Sequence, residues 1–173
     1  MIEIRDVKIE DAKDILKIYE YYILNTAITF EITVPTLEEF KERIINIKSK
    51  YPYIVLLENN IIKGYAYSNY FKGREAYKYS NEISLYIDKD SRHKGYGKLL
   101  YLELEKRLKN NGITNVYSCI SHIEIEDEYL DNNSESFHNH LGFKRVGLFS
   151  KCGYKFNRWY DMIWMEKIIN DHK

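Results

Sequence analysis

SRHKGYGKLL, residues 91–100, packs an arginine, a histidine, two lysines and two glycines into one short run. Upstream of it, SNEISLYI at 80–87 reads as a strand. Downstream, Leu100, Tyr101, Leu104 and Leu108 recur at helical spacing, which predicts a helix from about Gly97 to Asn110 with Gly112 just past its end. Glycine weakens a helix by ~1 kcal/mol relative to alanine, so two glycines at a helix mouth require a reason. A helix N-terminus presents unpaired N–H groups and a partial positive charge, which suits a phosphate. Gly95 and Gly97 leave the main chain bare to such a ligand, and Arg92, His93, Lys94 and Lys98 add donors around it. On the residues alone, a solvated basic turn fits as well. Two familiar phosphate patterns fail. The dinucleotide fingerprint wants a third glycine where Leu100 stands. The nucleoside-triphosphate loop wants a hydroxyl where Leu99 follows Lys98.

The rest of the chain frames this turn. Its 173 residues, 45% hydrophobic and 30% charged, suit one domain with a sizeable core. Lys plus Arg, 26, equals Asp plus Glu, 26, so no global charge draws the protein to nucleic acid or to a membrane surface. MIEIRDVKIED lacks the order of a signal peptide, and no apolar run approaches the ~20 residues that span a bilayer. Cys119 and Cys152 are too few for a disulfide framework, so a cytoplasmic location is expected.

IEIRDV opens the chain as a strand, and Asp11 is expected to cap a helix carrying Ile15, Ile18, Tyr19, Tyr22 and Ile23. Thr36 and Glu39 form a capping box for a second helix with Leu37, Phe40, Ile44 and Ile47 on one face. YIVLLE and IIKGYAYSNYF, joined by Asn59-Asn60, predict a hairpin. NVYSCI at 115–120 follows as a strand, then an acidic stretch at 122–133, and a short helix from Glu135 to Leu141 stopped by Gly142. FKRVGLF at 143–149 and RWYDMIWMEK at 158–167 read as the last two strands. The short connections make this an α+β (mixed α/β) fold, a mostly antiparallel twisted sheet flanked by helices.

Arg92-x-x-Gly95-x-Gly97 at a strand-to-helix junction resembles the GNAT N-acetyltransferases, whose signature is Gln/Arg-x-x-Gly-x-Gly/Ala. The element order also matches that fold. AYKYSNEISLYI, SFHNHLGF at 136–143 and GYKFNRWYD at 153–161 are similar to three segments of the phosphinothricin acetyltransferase group within that family. The resemblance implies acetyl-CoA as cosubstrate and no metal. It implies that the amides around Arg92, His93, Lys94, Gly95, Tyr96, Gly97 and Lys98 hold the pyrophosphate. Leu85, Tyr86 and Ile87 would run beside the pantetheine arm and supply an oxyanion donor, and Asn133 and Ser134 would touch CoA. As helix caps, the latter two have a plainer role.

Acetylating an amine requires its neutral form. For a lysine-like ammonium, deprotonation at about pH 7 costs roughly 4–5 kcal/mol, so a base is needed. The resemblance places Glu82 in that role and His138 as a second acid or base; which of them takes the proton stays open. Arg74 and Tyr77 are implied to line the substrate pocket beside Glu82, with Arg74 clamping a carboxylate. Trp159 and Asp161 belong to the tail signature, where Asn157 replaces a frequent glycine. His138 and His140, two apart on a helix, point about 200° from each other and do not share an ion easily. The acidic stretch could rim the pocket or form a surface loop. The expected activity is acetyl transfer to a small amino-acid-like amine by a homodimer. The alternatives are a GNAT acting on a protein N-terminus or lysine, and a non-catalytic acyl-CoA-binding module.

Overall fold

The computed structural model describes residues 1–172. Four helices, α1 (Ala12–Asn25), α2 (Leu37–Lys48), α3 (Tyr96–Asn110) and α4 (Asn133–His140), flank seven strands. The strands are β1 (Ile2–Asp6), β2 (Tyr53–Glu58), β3 (Ile61–Tyr70), β4 (Ser80–Ile87), β5 (Asn115–His122), β6 (Lys144–Lys155) and β7 (Arg158–Ile168). They form one sheet in the order β1-β2-β3-β4-β5-β7-β6, and only the β4–β5 neighbours run parallel.

The apolar spacing read from the sequence buries each helix where it should. Leu100, Leu104 and Leu108 of α3 pack with Ile54, Leu56, Ala66 and Ile163 on one face of the sheet. Ile15, Ile23 and Ile44 of α1 and α2 pack with Val55 and Tyr65 on the other. The capping box closes α2 from both sides: Glu39 N–H donates to Thr36 Oγ1 at 3.2 Å and Thr36 N–H to Glu39 Oε2 at 2.8 Å. Asn59 and Asn60 turn the β2–β3 hairpin with φ of 50° and 67°, a region asparagine tolerates.

Several expectations are corrected. Asp11 does not cap α1. Its carboxylate accepts from Lys8 N–H at 2.7 Å and from the Arg5 guanidinium at 2.7 and 2.9 Å, because a 3₁₀ turn at Ile9–Asp11 comes first. Strand β6 continues six residues past the predicted end at 149 to Lys155, through a register break between Phe149 and Gly153. Phe156 and Asn157 then turn the chain with φ of 51° and 58°, which explains how asparagine serves where relatives of this motif carry glycine. Helix α4 begins at Asn133, two residues early.

The acidic stretch is a clamped surface loop. Asp127 accepts from Tyr129 N–H at 2.8 Å, Leu130 N–H at 2.9 Å, Arg158 at 2.9 Å and Tyr160 at 3.0 Å. Glu126 accepts from Asn132 N–H and Glu128 pairs with Arg158. These carboxylates tie the loop to β7 and to itself.

Glu105 on α3 makes a testable contribution to stability. Burial pushes its carboxyl up, but hydrogen bonds from Lys109 and Lys167, at 2.7 and 2.6 Å, outweigh burial and bring it down to about 2. A carboxyl lowered on folding stabilises the protein above its unfolded value of 4.5, and that stabilisation is lost as pH falls through about 2. Glu105→Gln is therefore expected to cost ~1–3 kcal/mol at neutral pH. The gap in melting temperature between wild type and variant should narrow steadily from about pH 5 to about pH 2; a constant gap would refute the assignment.

Candidate active site

The turn after β4 is built by local geometry. A 3₁₀ turn at Lys89–Ser91 is held by Ser91, whose N–H donates to Asp88 O at 2.8 Å and whose hydroxyl donates to Asp88 Oδ2 at 3.0 Å. His93 and Gly95 then take φ of 62° and 81°. Gly95 is the N-cap of α3 and no side chain caps the helix there, so the first-turn N–H groups are left for a ligand. The two glycines answer different needs. Gly95 has open space where a Cβ would stand but a left-handed backbone; a Cβ at Gly97 would meet the Phe137 ring at 3.2 Å and Leu85 at 3.7 Å.

A cavity of about 290 Å³ opens in front of this turn. Every expected cofactor residue lines it except Lys94. Lys94 is exposed instead and lies near Glu58, whose carboxyl is lowered first by the Tyr96 hydroxyl (2.6 Å) and then by Lys94. The positive φ at His93 turns the chain just before it. Asn133 and Ser134 are in the lining, and neither side chain caps α4, whose N-cap is Asn132. Sequence reasoning missed Tyr22, Ile28, Ser91 and Phe137, all of which join the lining. Tyr22 had registered only as an apolar helix position. Its hydroxyl donates to Ile87 O at 2.5 Å, fixing the end of β4, and the Arg92 guanidinium stands 5.8 Å over its ring.

Strand β4 pairs with β5 only from Ser80↔Asn115 to Glu82↔Tyr117. Beyond that pair the two strands part, and Ile83–Ile87 keep β3 as their only strand partner. The β5-facing edge of this segment therefore offers free main-chain donors and acceptors along its length. A smaller cavity of about 60 Å³ occupies the split, shares Ile28, Leu85, Tyr86, Ser134 and His138 with the larger one, and reaches Ile83, Ser118 and Cys119. Ile28 is held in place by Ser121, whose hydroxyl donates to Ile28 O at 2.9 Å, while the next carbonyl, Thr29 O, accepts from the buried Lys155 at 2.8 Å.

Glu82 is the last paired residue before the split. Strand alternation sets it with Ser84 and Tyr86 on the α1/α2 face, and Ile83, Leu85 and Ile87 on the α3/α4 face. Burial pushes the Glu82 carboxyl above its usual range, and the Lys72 charge opposes that rise. A stronger base than an exposed glutamate results. Burial, and next the Glu82 charge, push the Cys119 thiol well above its ordinary value, so it is not an activated nucleophile.

His138 lies across the sheet on α4, 8% exposed, between Phe137 and Phe143, whose ring centroids are 5.3 and 5.1 Å away. Its Nδ1 lies 2.7 Å from Ser134 O, and a carbonyl only accepts, so Nδ1 carries the proton and Nε2 is bare. Burial lowers its pKa below the ordinary value. His138 is thus a neutral acceptor rather than a ready acid. Glu82 thus stands where the split begins, and His138 lines the cavity within it.

Arg74 and Tyr77 are not brought to either cavity; both lie on an exposed turn between β3 and β4, Tyr77 with its ring edge on Phe71 at 5.8 Å. Trp159 is 58% exposed and packs on Tyr154, so it is not a core residue. Asp161 accepts from Lys151 N–H at 2.7 Å and steadies the irregularity in β6. His140 turns its own Nδ1 to Ser136 O. Among the described residues no helix is long and apolar enough to cross a membrane, and no three His, Cys, Asp or Glu side chains gather as a metal site.

A split sheet whose free strand leads from an uncapped, glycine-opened helix mouth to a half-buried carboxylate is the architecture of an acyl-transfer enzyme. The acetyltransferase (GNAT) domain family matches residues 4–164, and the chain belongs to that family of N-acetyltransferases. Among its relatives, phosphinothricin N-acetyltransferase of Streptomyces coelicolor is 28% identical over 96% of this chain and 95% of its own. L-methionine sulfoximine/L-methionine sulfone acetyltransferase of Salmonella typhimurium is 27% identical over 94% and 91%. The crystal structure of a phosphinothricin acetyltransferase from Sinorhizobium meliloti in complex with AcCoA superposes with a TM-score of 0.88. It is 32% identical and covers 96% of this chain and 88% of that one.

Proposed function

We propose that this protein moves the acetyl group of acetyl-CoA to the amine of a small amino-acid-like molecule of the phosphinothricin or methionine sulfoximine type, by direct attack on the thioester. The observation that carries this reading is the unpaired β4 segment joining the α3 mouth to Glu82. The names of the relatives supply the substrate class. The residues present fit acetyl-CoA: the first-turn N–H groups of α3 suit a pyrophosphate, and Gly95, with open space where a Cβ would stand, leaves the main chain bare to it. The β4 edge, in turn, suits an arm that carries amide groups.

Acetyl-CoA supplies an activated acyl carbon. Glu82, desolvated and raised, takes the amine proton directly or through water. An N–H of Leu85–Ile87 faces the oxygen on which charge develops. As the C–N bond forms and the C–S bond breaks, the proton taken by Glu82 returns to the departing thiolate through water, because His138, with Nε2 bare, can accept a hydrogen bond there but not donate one. The chain works as one domain in a reducing, cytoplasmic setting, in keeping with two free cysteines. It pairs as a homodimer through β6, an edge strand whose Val146, Leu148 and Phe149 are exposed.

A protein amine was favoured only by the acidic stretch, and its carboxylates line neither cavity. Thiol release from acetyl-CoA should be measured with a panel that includes methionine sulfoximine, phosphinothricin and a lysine peptide, and the products weighed by mass spectrometry. The expected result is an N-acetylated small amino acid. Acetyl-CoA binding without transfer to any amine would leave only a binding module and overturn the proposal.

A further inference from the structure

Two residues of the tail segment GYKFNRWYD at 153–161, Gly153 and Lys155, have no assigned role. Both lie at the end of β6 and reach the connection between α1 and α2. Phe30 of that connection lies directly on the Gly153 main chain: a Cβ there would come within 2.8 Å of three atoms of the Phe30 ring. Lys155 is 5% exposed, and its ammonium donates to Thr29 O at 2.8 Å and stands 5.2 Å over the Phe156 ring. Among the described residues it forms no ion pair. Burial lowers its pKa to about 8, and the Glu31 charge opposes that fall. A buried ammonium without a carboxylate partner is costly to keep, so a purely stabilising role does not account for it.

The connection that they hold is a wall of the site. Its tethers follow one another along the chain: Ala27 N–H donates to Tyr129 O at 2.9 Å, Ser121 Oγ to Ile28 O at 2.9 Å and Lys155 Nζ to Thr29 O, and Phe30 is seated on Gly153. Ile28, in the middle of this run, lines both cavities. It therefore stands where the acyl end of the cofactor and the amine must meet. Two bound molecules react only when their atoms approach to ~3–3.5 Å, and a misplacement of about 1 Å costs on the order of 100-fold in rate. We propose that Gly153 and Lys155 are positioning residues for acetyl transfer, pinning Phe30 and Thr29 to β6 and so holding Ile28 at the junction of the two cavities. Neither touches the reacting atoms; both act through the α1–α2 connection. The inference rests on the acetyl-transfer reading and assigns part of the alignment that the reaction needs.

Lys155→Met keeps most of the side chain and removes its donors. It is expected to lower kcat/KM for methionine sulfoximine roughly 10–100-fold, with the Kd of acetyl-CoA within a few fold of wild type, because the α3 mouth is untouched. Hydrogen exchange at Ala27, Ile28 and Glu31 should quicken several-fold while α3 keeps its protection. Gly153→Ala displaces Phe30 instead, should give the same pattern, and serves alone if Lys155→Met does not fold. Glu105→Gln is the control: it weakens the fold elsewhere and should leave kcat/KM and the exchange of the connection at wild-type values. Wild-type kcat/KM in either folded variant, a loss without faster exchange, or a loss that Glu105→Gln reproduces overturns the assignment. Failure of both variants to fold also overturns it, since the contacts then serve the fold as a whole. A wild type that binds acetyl-CoA but acetylates no amine overturns the acetyl-transfer reading itself and this inference with it; wild-type turnover with indifferent variants overturns only this inference.

Discussion

Glu82→Gln is expected to lower kcat by roughly 10²–10⁴-fold, the usual worth of a positioned general base, while the affinity for acetyl-CoA stays within a few fold. The substitution keeps the shape of the side chain and removes only its ability to take a proton. Glu82 lines neither of the two cavities, so cofactor binding has no reason to change. Stability should hold or improve, because a half-buried carboxylate opposed by desolvation gives way to a neutral amide. The pH profile separates a base from a structural part. Wild-type kcat/KM should rise with an acid limb above the ordinary glutamate value, since burial shifts this carboxyl upward. The deficit of the variant should shrink as pH approaches the pKa of the amine, where the acceptor is already neutral. A variant with wild-type kcat, or a deficit that does not change with pH, would move the role elsewhere. His138→Gln would then be the variant to compare, and it is expected to act more weakly because burial lowers the His138 pKa and makes its bare Nε2 a weaker base.

Gly97→Val should abolish measurable acetyl-CoA binding, with a loss in affinity on the order of 100-fold or more from blocked approach to the main chain. The first added carbon already meets Phe137 at 3.2 and 3.3 Å, so the branched methyls have no choice but to enter the cavity or push α4 aside. Overpacking of this kind costs ~1–3 kcal/mol in stability. Gly95→Ala gives the contrast. Nothing lies within 4 Å of its added Cβ, but φ is +81°, so the penalty is conformational, ~1–2 kcal/mol, and the loss of affinity is smaller. Calorimetric titration with acetyl-CoA and thermal unfolding of both variants check this. Equal binding by Gly97→Val and wild type would remove the glycine turn from the cofactor site.

Much of the fold was legible because its cues are local. The Thr36–Glu39 box, the Asn59-Asn60 turn and the 3.6-residue spacing of Leu100, Leu104 and Leu108 each act within a few residues, and each appears where expected. The failures share a different cause. Asp11 has the chemistry of a cap, but Arg5 on the preceding strand claims its carboxylate, and local pattern carries no sign of that. Strand β6 runs on through polar SKCGYK because β7 offers it partners, not because its own residues favour extension. Arg74, implied to clamp a substrate carboxylate, lies on an exposed turn away from both cavities, and its place in the motif carries no sign of that.

From the residues alone came the glycine-opened helix mouth and the strand that feeds it, while Glu82 and His138 came only with the resemblance to the GNAT family. Spacing of this kind is written into consecutive positions and survives without knowledge of neighbours. What the tertiary structure decided was where those groups stand relative to one another. The parting of β4 from β5 begins just after Glu82, and His138 lines the cavity that fills the split. It also frees a strand edge for a ligand. Such distances depend on which strands pair and where they stop pairing, and that is a property of the whole chain's packing, since no single segment encodes its partner.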